Sequence, residues 1–308
     1  MQQLLDTAEK IRTMEIRGAG RIAAAAAKAL RDYVETLETS SFEEFVAKVE
    51  KAKSVLIETR PTAVSLPNAV MLAGSYNAET VEEARSQILD NATEFIRNAD
   101  TALDSIGEIG AKRLRDGDTV MTHCNSHAAL AIIKTAHNQG KRIKVYATES
   151  RPRRQGFITI KELSDAGIDT TLIVDSAVRY TMKNVDTVIV GADSITVNGA
   201  LVNKIGTSQL ALAAHEARVN FISAAETYKF SPSTLFGDLV EIEERDPEEV
   251  ISKDKLGDMP DVKISNPAFD VTPSEYIDLI VTEAGAFPPQ MAYVIIKEHL
   301  GWKLDKIG

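Results

Sequence analysis

The chain has a single cysteine, Cys124, among its 308 residues. One thiol excludes an internal disulfide and any metal cluster built on several cysteines, and it fits a reducing compartment. The five histidines are scattered along the sequence, which argues against a zinc site. The sequence therefore predicts that no metal is bound.

Long apolar runs are also missing. No stretch is apolar over enough residues to span a membrane. The N-terminal segment 1–12 alternates charged and apolar residues at helical spacing, and it lacks the basic start and continuous apolar core of a signal peptide. We therefore expect a cytoplasmic protein with no membrane partner.

The chain also lacks a positive net charge, because 45 Asp and Glu outnumber 35 Lys and Arg and give a formal net charge of -10. Binding to a nucleic-acid backbone needs concentrated Lys and Arg, so no nucleic-acid partner is expected. The most acidic stretch, residues 241–249, has the sequence EIEERDPEE. We interpret it as a solvated strand end rather than as a binding tail.

What the sequence does contain is an ordinary soluble balance of 44% apolar and 26% charged residues, with length for one large or two modest domains. Up to about residue 115, apolar residues recur at helical spacing; beyond it, short β-rich runs alternate with helical segments. This alternation predicts a doubly wound parallel sheet. The fold class is therefore α/β, with a helical N-terminal domain over 1–112 and a Rossmann-like domain over 113–308.

The segment TVMTHCNSHAAL predicts a strand that ends at Cys124 and a helix whose first turn includes Ser126 and His127. The amides and the positive dipole end of that helix favour a thiolate, and they also favour an anion such as phosphate. His123 is expected on the opposite face of the strand, which argues against a cysteine protease. On position alone, an inert buried cysteine is the commoner case.

A second segment, residues 186–208, predicts a strand that brings Asp193 to the same edge of the sheet. Asn198-Gly199 then indicates a type I′ hairpin, which returns the chain to Lys204 just before another helix. This arrangement suits a phosphate. The alternatives are a capping or turn role for Asp193 and an ordinary solvated lysine at Lys204.

Cationic residues recur at the starts of helices and after strands. Arg17 precedes two glycines and a helix, which suits an anion nest, although a break between two helices explains the glycines equally well. Arg60 precedes another helix, and Lys229 follows a strand. Three arginines lie within 149–156, and the sequence leaves open which of them faces a ligand: Arg151, Arg153 or Arg154.

Together these segments resemble the superfamily of methylthioribose-1-phosphate isomerases, ribose-1,5-bisphosphate isomerases and the alpha, beta and delta subunits of translation initiation factor 2B. The motifs that carry the resemblance span almost the whole chain: RGAG, ETRPTAVSLPNA, MTHCNSHAAL, ESRPRRQG, GADSITVNGALVNKIGT, AAETYKF, EIEERDP and NPAFDVTP. The resemblance implies a helical domain, a Rossmann-like domain, and dimers that build a larger homo-oligomer such as a hexamer.

The resemblance also implies catalysis by Cys124 and Asp193, a pair that the regulatory subunits generally lose. The loop RGAGRIA and the pair Ser126-His127 differ from the RGAPAIG-like loop and Gly-Ala typical of methylthioribose enzymes. A second phosphate needs cations, whereas a methylthio tail needs an apolar pocket. The closest resemblance is thus to archaeal ribose-1,5-bisphosphate isomerases of AMP catabolism, and it implies AMP as an activator. A methylthioribose enzyme and a noncatalytic subunit are the alternatives.

For the reaction, we expect Asp193 to act as an acid kept protonated by apolar surroundings, and the Cys124 thiolate to act as the base. An enolate and a direct hydride shift are both compatible with these roles. No organic cofactor or metal is expected, because the redox change is internal to the sugar. By resemblance and by placement, the substrate phosphates are expected at Arg17, Gly18, Ala19, Gly20, Arg60, Ser126, His127, Ala128, Asn203, Lys204 and Lys229.

Overall fold

The computed structural model describes residues 1–16, 18–60, 63–236, 240, 242–257, 259 and 261–301. The first part of the chain forms five helices: α1 Gln2–Arg12, α2 Ala19–Glu35, α3 Phe42–Ile57, α4 Ser65–Ala73 and α5 Val81–Ala111. Two of them begin at an S/T-x-x-E pattern, and the hydroxyls of Ser41 and Thr80 accept hydrogen bonds from the amides of Glu44 and Glu83. These caps fix where α3 and α5 start.

Strands and helices then alternate, which confirms the predicted fold class. The strands are β1 Thr119–Thr122, β2 Lys144–Thr148, β3 Asp169–Ile173, β4 Thr187–Val190, β5 Ser194–Ile195, β6 Leu201–Lys204, β7 Asn220–Ala224, β8 Phe269–Thr272, β9 Leu279–Thr282 and β10 Gly285–Phe287. The helices are α6 His127–Asn138, α7 Gly156–Asp165, α8 Val178–Thr181, α9 Thr207–Ala217, α10 Lys253–Leu256 and α11 Ala292–His299.

Seven strands form the main sheet, in the order β10-β9-β7-β4-β1-β2-β3. All neighbours are parallel except β10 and β9. From β1 the chain proceeds outward through β2 and β3, and it then returns to β4 on the other side of β1. The order of the strands therefore reverses between β1 and β4, and such a switch point opens a crevice at the carboxyl ends of the strands.

A smaller antiparallel sheet, β5-β6-β8, follows β4. The predicted hairpin between β5 and β6 is present, but its predicted turn type is wrong. Only Gly199 of the central pair has a positive φ, 79°, and its amide donates to the carbonyl of Thr196 at 2.9 Å. A type I′ turn needs positive φ at Asn198 too, so the loop is a type I turn followed by a glycine bulge.

The interpretation of the acidic run as a solvated strand end is also wrong. Its described residues form no strand beyond an isolated bridge between Glu244 and Pro267. Two of its carboxylates, Glu243 and Glu249, instead pair with arginine side chains. The sequence pattern shows charge but not which charges meet across elements, and these partners come from distant parts of the chain.

The helical part packs directly on the α/β part. One apolar cluster runs from α1–α5 into the sheet, and the rings of Phe95 and Tyr228 lie 5.2 Å apart across it. Asn68 on α4 donates from Nδ2 to the carbonyls of Tyr228 and Phe230, at 2.9 and 2.7 Å. Because the core is shared, the division into domains at residues 112 and 113 stays a prediction.

No helix in the described ranges has the length and apolar character that crossing a bilayer requires.

The two hydrogen bonds of Asn68 allow a test of this packing. Asn68→Ala should lower the free energy of unfolding by about 1–3 kcal/mol, because it leaves two carbonyls in the core without this donor. Urea unfolding would measure the loss as a lower midpoint at unchanged slope. The control is Asn91→Ala, which removes a half-buried amide that donates to Ser75 O at 2.8 Å. Equal losses in the two variants would contradict this account.

Candidate active site

A cavity of about 1080 Å³ lies at the carboxyl ends of β1 and β4, between the sheet and the starts of α2 and α4. This is the switch point of the main sheet, where ligands of doubly wound folds bind. Arg17 lies outside the described residues. All the other predicted site residues line this one cavity: Gly18, Ala19, Gly20, Arg60, Cys124, Ser126, His127, Ala128, Asp193, Asn203, Lys204 and Lys229.

Cys124 follows β1 by two residues and has a left-handed backbone, with φ of 64°. Its amide donates to Ser150 Oγ at 2.7 Å, and its carbonyl accepts from Thr159 Oγ1 at 2.7 Å. Burial raises the pKa of the thiol to about 11, Lys204 opposes this rise in part, and the nearby Asp193 carboxyl adds to it. The predicted thiolate is therefore wrong for the ligand-free protein, because the cost of burying charge outweighs the dipole of α6.

Asp193 lies on the short link between β4 and β5. Its amide donates to Val202 O at 3.0 Å. Among the described residues, none donates a hydrogen bond to its carboxyl. Burial raises the pKa of this carboxyl, although Lys229 and Lys204 pull it down. The shift has the direction expected of an acid that holds a proton near neutral pH.

The start of α6 is built against the end of β4. Ser126 Oγ caps the helix by accepting from the amide of Ala129 at 3.3 Å. A Cβ at Gly191 would lie 2.2 Å from that oxygen, so only glycine permits this close approach. His127 Nε2 lies 3.1 Å from Arg21 Nη2. Since arginine only donates, His127 accepts there and is neutral, and burial followed by Arg21 lowers its pKa.

The two lysines of the site differ in how their charge is balanced. Lys229 Nζ lies 2.8 Å from Glu226 Oε2, and both side chains are buried. Burial opposes the ionisation of Glu226, but Lys229 and Tyr228 OH more than compensate, so its pKa is lowered and the pair is ionised. Lys204 Nζ lies 5.1 Å from the centre of the Phe269 ring, and no carboxylate in the described part of the chain pairs with it. Lys204 thus offers the cavity an uncompensated charge.

A row of alternating charges runs along one side of the cavity, and its three arginines line the cavity. Arg60 Nη2 lies 3.6 Å from Glu243, and Glu243 lies 3.2 Å from Arg245 Nε. Arg245 Nη1 is 3.9 Å from Glu249, which in turn lies 2.8 Å from Arg153 Nε. Three arginines and two carboxylates leave a net positive charge here.

Of the three arginines in the 149–156 loop, the one in this row of charges faces the site. Arg153 lines the cavity, whereas Arg151 donates to Val250 O at 3.0 Å and Arg154 lies 5.8 Å from the Phe157 ring centre. The sequence patterns did not predict further lining residues, among them Gln155, Glu226, Tyr228 and Arg245. All lie inside motifs that carry the resemblance or directly beside them, and that position was the available signal.

A model of the Initiation factor 2 subunit family matches residues 15–289. The chain belongs to this family. The resemblance inferred from the motifs is thereby confirmed.

Within the described residues, no group of three or more His, Cys, Asp and Glu side chains is placed to hold a metal ion.

The proteins to which the chain is similar include enzymes and translation factors. Ribose 1,5-bisphosphate isomerase from Archaeoglobus fulgidus is 59% identical, over 98% of this chain and 95% of the relative. The structure of translation initiation factor eIF-2B from Pyrococcus horikoshii has a TM-score of 0.79 at 34% identity, covering 94% of this chain and 98% of the other. That of 5-methylthioribose 1-phosphate isomerase from the same organism has a TM-score of 0.74 at 34% identity, covering 97% and 87%.

The raised pKa of Cys124 can be tested directly, because iodoacetamide has no other cysteine thiol to alkylate in this chain. The thiolate is the nucleophile, so we expect slow alkylation at neutral pH and a rate that rises about tenfold per pH unit toward a pKa of about 11. Asp193→Asn should shift this profile to lower pH, because it removes a negative charge near the thiol. The exposed Lys183→Met is the control and should shift nothing. A plateau already reached near neutral pH would contradict this assignment.

Proposed function

We propose that the chain catalyses the isomerisation of ribose 1,5-bisphosphate to ribulose 1,5-bisphosphate, as an intramolecular oxidoreductase. The observation that carries the proposal is that Cys124 and Asp193 line one cavity together with an excess of cations. The 59% identity to a ribose 1,5-bisphosphate isomerase over nearly the whole length of both chains supports the same reaction.

The charge of the cavity favours a bisphosphate over a methylthio sugar. A methylthio group needs an apolar pocket, whereas a second phosphate needs cations or exposed amides. The described lysines and arginines that line the cavity are Arg21, Arg60, Arg153, Lys204, Lys229 and Arg245. Identity to the methylthioribose enzyme of known structure is also lower, at 34%. Both observations support ribose 1,5-bisphosphate as the substrate.

In the proposed mechanism, Asp193 donates its proton to the ring oxygen of the sugar, and the bond from that oxygen to C1 breaks. The Cys124 thiolate removes the proton from C2, which leaves a double bond between C1 and C2 and a hydroxyl on C2. Cys124 then returns the proton to C1, while the hydroxyl on C2 loses its proton to the Asp193 carboxylate and becomes the ketone. Both side chains end in their starting states, and the redox change stays within the sugar.

The proposed mechanism requires one particular protonation form of the Cys124–Asp193 pair. This form holds one proton, on Asp193, while Cys124 is ionised. Because the two groups interact, the protons leave in steps that belong to the pair rather than to either residue. Lys204 lowers the pKa of both groups and thereby stabilises the singly charged pair.

For the phosphates, we propose contacts with two helix starts and with the cations between them. Unpaired amides at the start of a helix bind anions. Such amides are available at the start of α2, in Gly18, Ala19 and Gly20, and at the start of α6. The proposed contacts are Arg17, Gly18, Ala19, Gly20, Arg60, Ser126, His127, Ala128, Asn203, Lys204 and Lys229.

We extend the proposal to the setting of the reaction. A cytoplasmic homo-oligomer built from dimers, acting in AMP catabolism and activated by AMP, agrees with the resemblance to archaeal isomerases. The proposed boundary between the helical and the Rossmann-like domain lies at residues 112 and 113. Neither nucleic acid nor membrane is a proposed partner, in line with the acidic net charge of -10.

The assay of the purified protein with ribose 1,5-bisphosphate and with methylthioribose 1-phosphate tests the function. We expect turnover of the bisphosphate, and its loss in Cys124→Ser and Asp193→Asn, with folding unchanged. In deuterated water, label should enter C1 of the product if C2 loses a proton to Cys124. Absence of turnover with either sugar would favour a noncatalytic subunit, and full activity of both variants would refute the roles of the pair.

The role of Lys204 can be tested by binding without turnover, in the Cys124→Ser background. Lys204→Met should weaken the binding of ribulose 1,5-bisphosphate about tenfold or more, because a buried, charge-assisted contact with phosphate is lost. Titration calorimetry would measure the change in Kd. Lys183→Met removes an exposed lysine outside the cavity and should leave Kd unchanged. Equal binding by the two variants would remove Lys204 from the phosphate site.

A further inference from the structure

Cys124 has a backbone conformation that a residue with a Cβ rarely adopts. Its φ is 64°, and Ser150, which follows the neighbouring strand β2, has φ of 58°. In the left-handed region the Cβ crowds the following carbonyl, so such a residue persists only where surrounding contacts hold it. Two strained residues therefore lie side by side at the ends of β1 and β2.

Two hydroxyls hold the Cys124 backbone from opposite sides. Ser150 Oγ accepts from its amide and Thr159 Oγ1 donates to its carbonyl, both at 2.7 Å. Ser150 is itself fixed, because the Asp175 carboxylate accepts from the amides of Ser150 and Arg151, each at 2.8 Å. Both hydrogen-bonding groups of the Cys124 backbone are thus tied to the unit formed by β2 and α7.

His123 extends this network toward Lys204. Its Nε2 lies 2.8 Å from the carbonyl of Ile205, which only accepts, so this nitrogen carries the proton. Its Nδ1 lies 2.6 Å from Thr148 Oγ1, which donates to it. The ring is neutral, since burial lowers its pKa. It links the turn of Cys124 to the loop that follows Lys204.

Gly156 at the start of α7 makes the contact of Thr159 with Cys124 geometrically feasible. A Cβ at Gly156 would lie 1.9 Å from the carbonyl oxygen of Thr148, so any other residue would push α7 away from β2. Thr159 lies one turn further along α7. The close start of this helix thus brings its hydroxyl to the Cys124 carbonyl.

We propose that Ser150 and Thr159 are positioning residues for the isomerisation, holding Cys124 in the left-handed conformation that presents its sulfur to the cavity shared with Asp193. The proposal rests on the function proposed above. Without these two hydroxyls the turn relaxes toward a favoured φ, and the sulfur moves relative to C2 of the sugar. A misplacement of about 1 Å costs roughly a hundredfold in rate, whereas phosphate contacts elsewhere in the cavity are unaffected.

Thr159→Val tests the proposal by removing one hydroxyl at nearly constant shape. We expect kcat to fall about tenfold or more while KM stays within about twofold, because the reacting group moves and the phosphate contacts do not. Thr159→Ser should restore kcat. The matched control is Thr272→Val, since Thr272 is buried and its hydroxyl has no hydrogen-bond partner among the described residues. Wild-type kcat in Thr159→Val would overturn the proposal.

Ser150→Ala is the companion variant, with Ser223→Ala as its control. Ser223 is fully buried, and within the described ranges its hydroxyl likewise has no partner. Because Ser150 and Thr159 act on one backbone unit, the loss of kcat in the double variant should be smaller than the product of the single losses. Fully multiplicative losses would contradict a shared action on Cys124.

Alkylation of ligand-free Cys124 separates this proposal from the proposed reaction, because it needs no substrate. Release of the turn exposes the thiol, so Thr159→Val and Ser150→Ala should be alkylated several-fold faster at constant pH. Thr159→Ser, Thr272→Val and Ser223→Ala should retain the wild-type rate. If the two variants are alkylated faster but the protein turns over no sugar phosphate, the proposed reaction is refuted and the positioning of Cys124 by Ser150 and Thr159 is retained. Unchanged alkylation in both variants would refute this positioning role.

Discussion

The parallel pairing of β1 with β4 is the interaction on which the site depends. The chain leaves β1 in one direction across the sheet and returns to β4 on its other side, so the segments that follow the two strands diverge and leave a crevice. Cys124 follows the first strand and Asp193 follows the second. Residues far apart in sequence thereby share a cavity, while the helical part closes it through α2 and α4.

Burial of charge is the second constraint, and it shapes the chemistry of the cavity. The carboxylates of Glu226, Glu243 and Glu249 neutralise part of the cationic lining, so the site holds its lysines and arginines without a large repulsion among them. The acidic run is therefore a component of the site. The same burial raises the pKa values of Cys124 and Asp193, so both side chains hold their protons to a higher pH than they would in water.

Local patterns predicted much of this structure. The alternation of strands and helices and the placement of Cys124 and Asp193 after strands both follow from neighbouring residues or from motif order. The protonation of Cys124 could not be predicted that way, because burial depends on the whole fold. Nor could the ion pair of Glu249 with Arg153, because Arg153 lies in a distant loop. The predicted turn type at Asn198-Gly199 was wrong for another reason, because the dipeptide Asn-Gly occurs in more than one type of hairpin turn.

The protonated thiol of Cys124 has a consequence for the lifetime of the protein. Peroxides and disulfides attack the thiolate, and oxidation beyond the first step is irreversible in most proteins. With a pKa of about 11, the sulfur of the ligand-free protein is almost entirely in the unreactive form. The cysteine proposed as the base of the isomerisation is thus protected from oxidants while no substrate is bound.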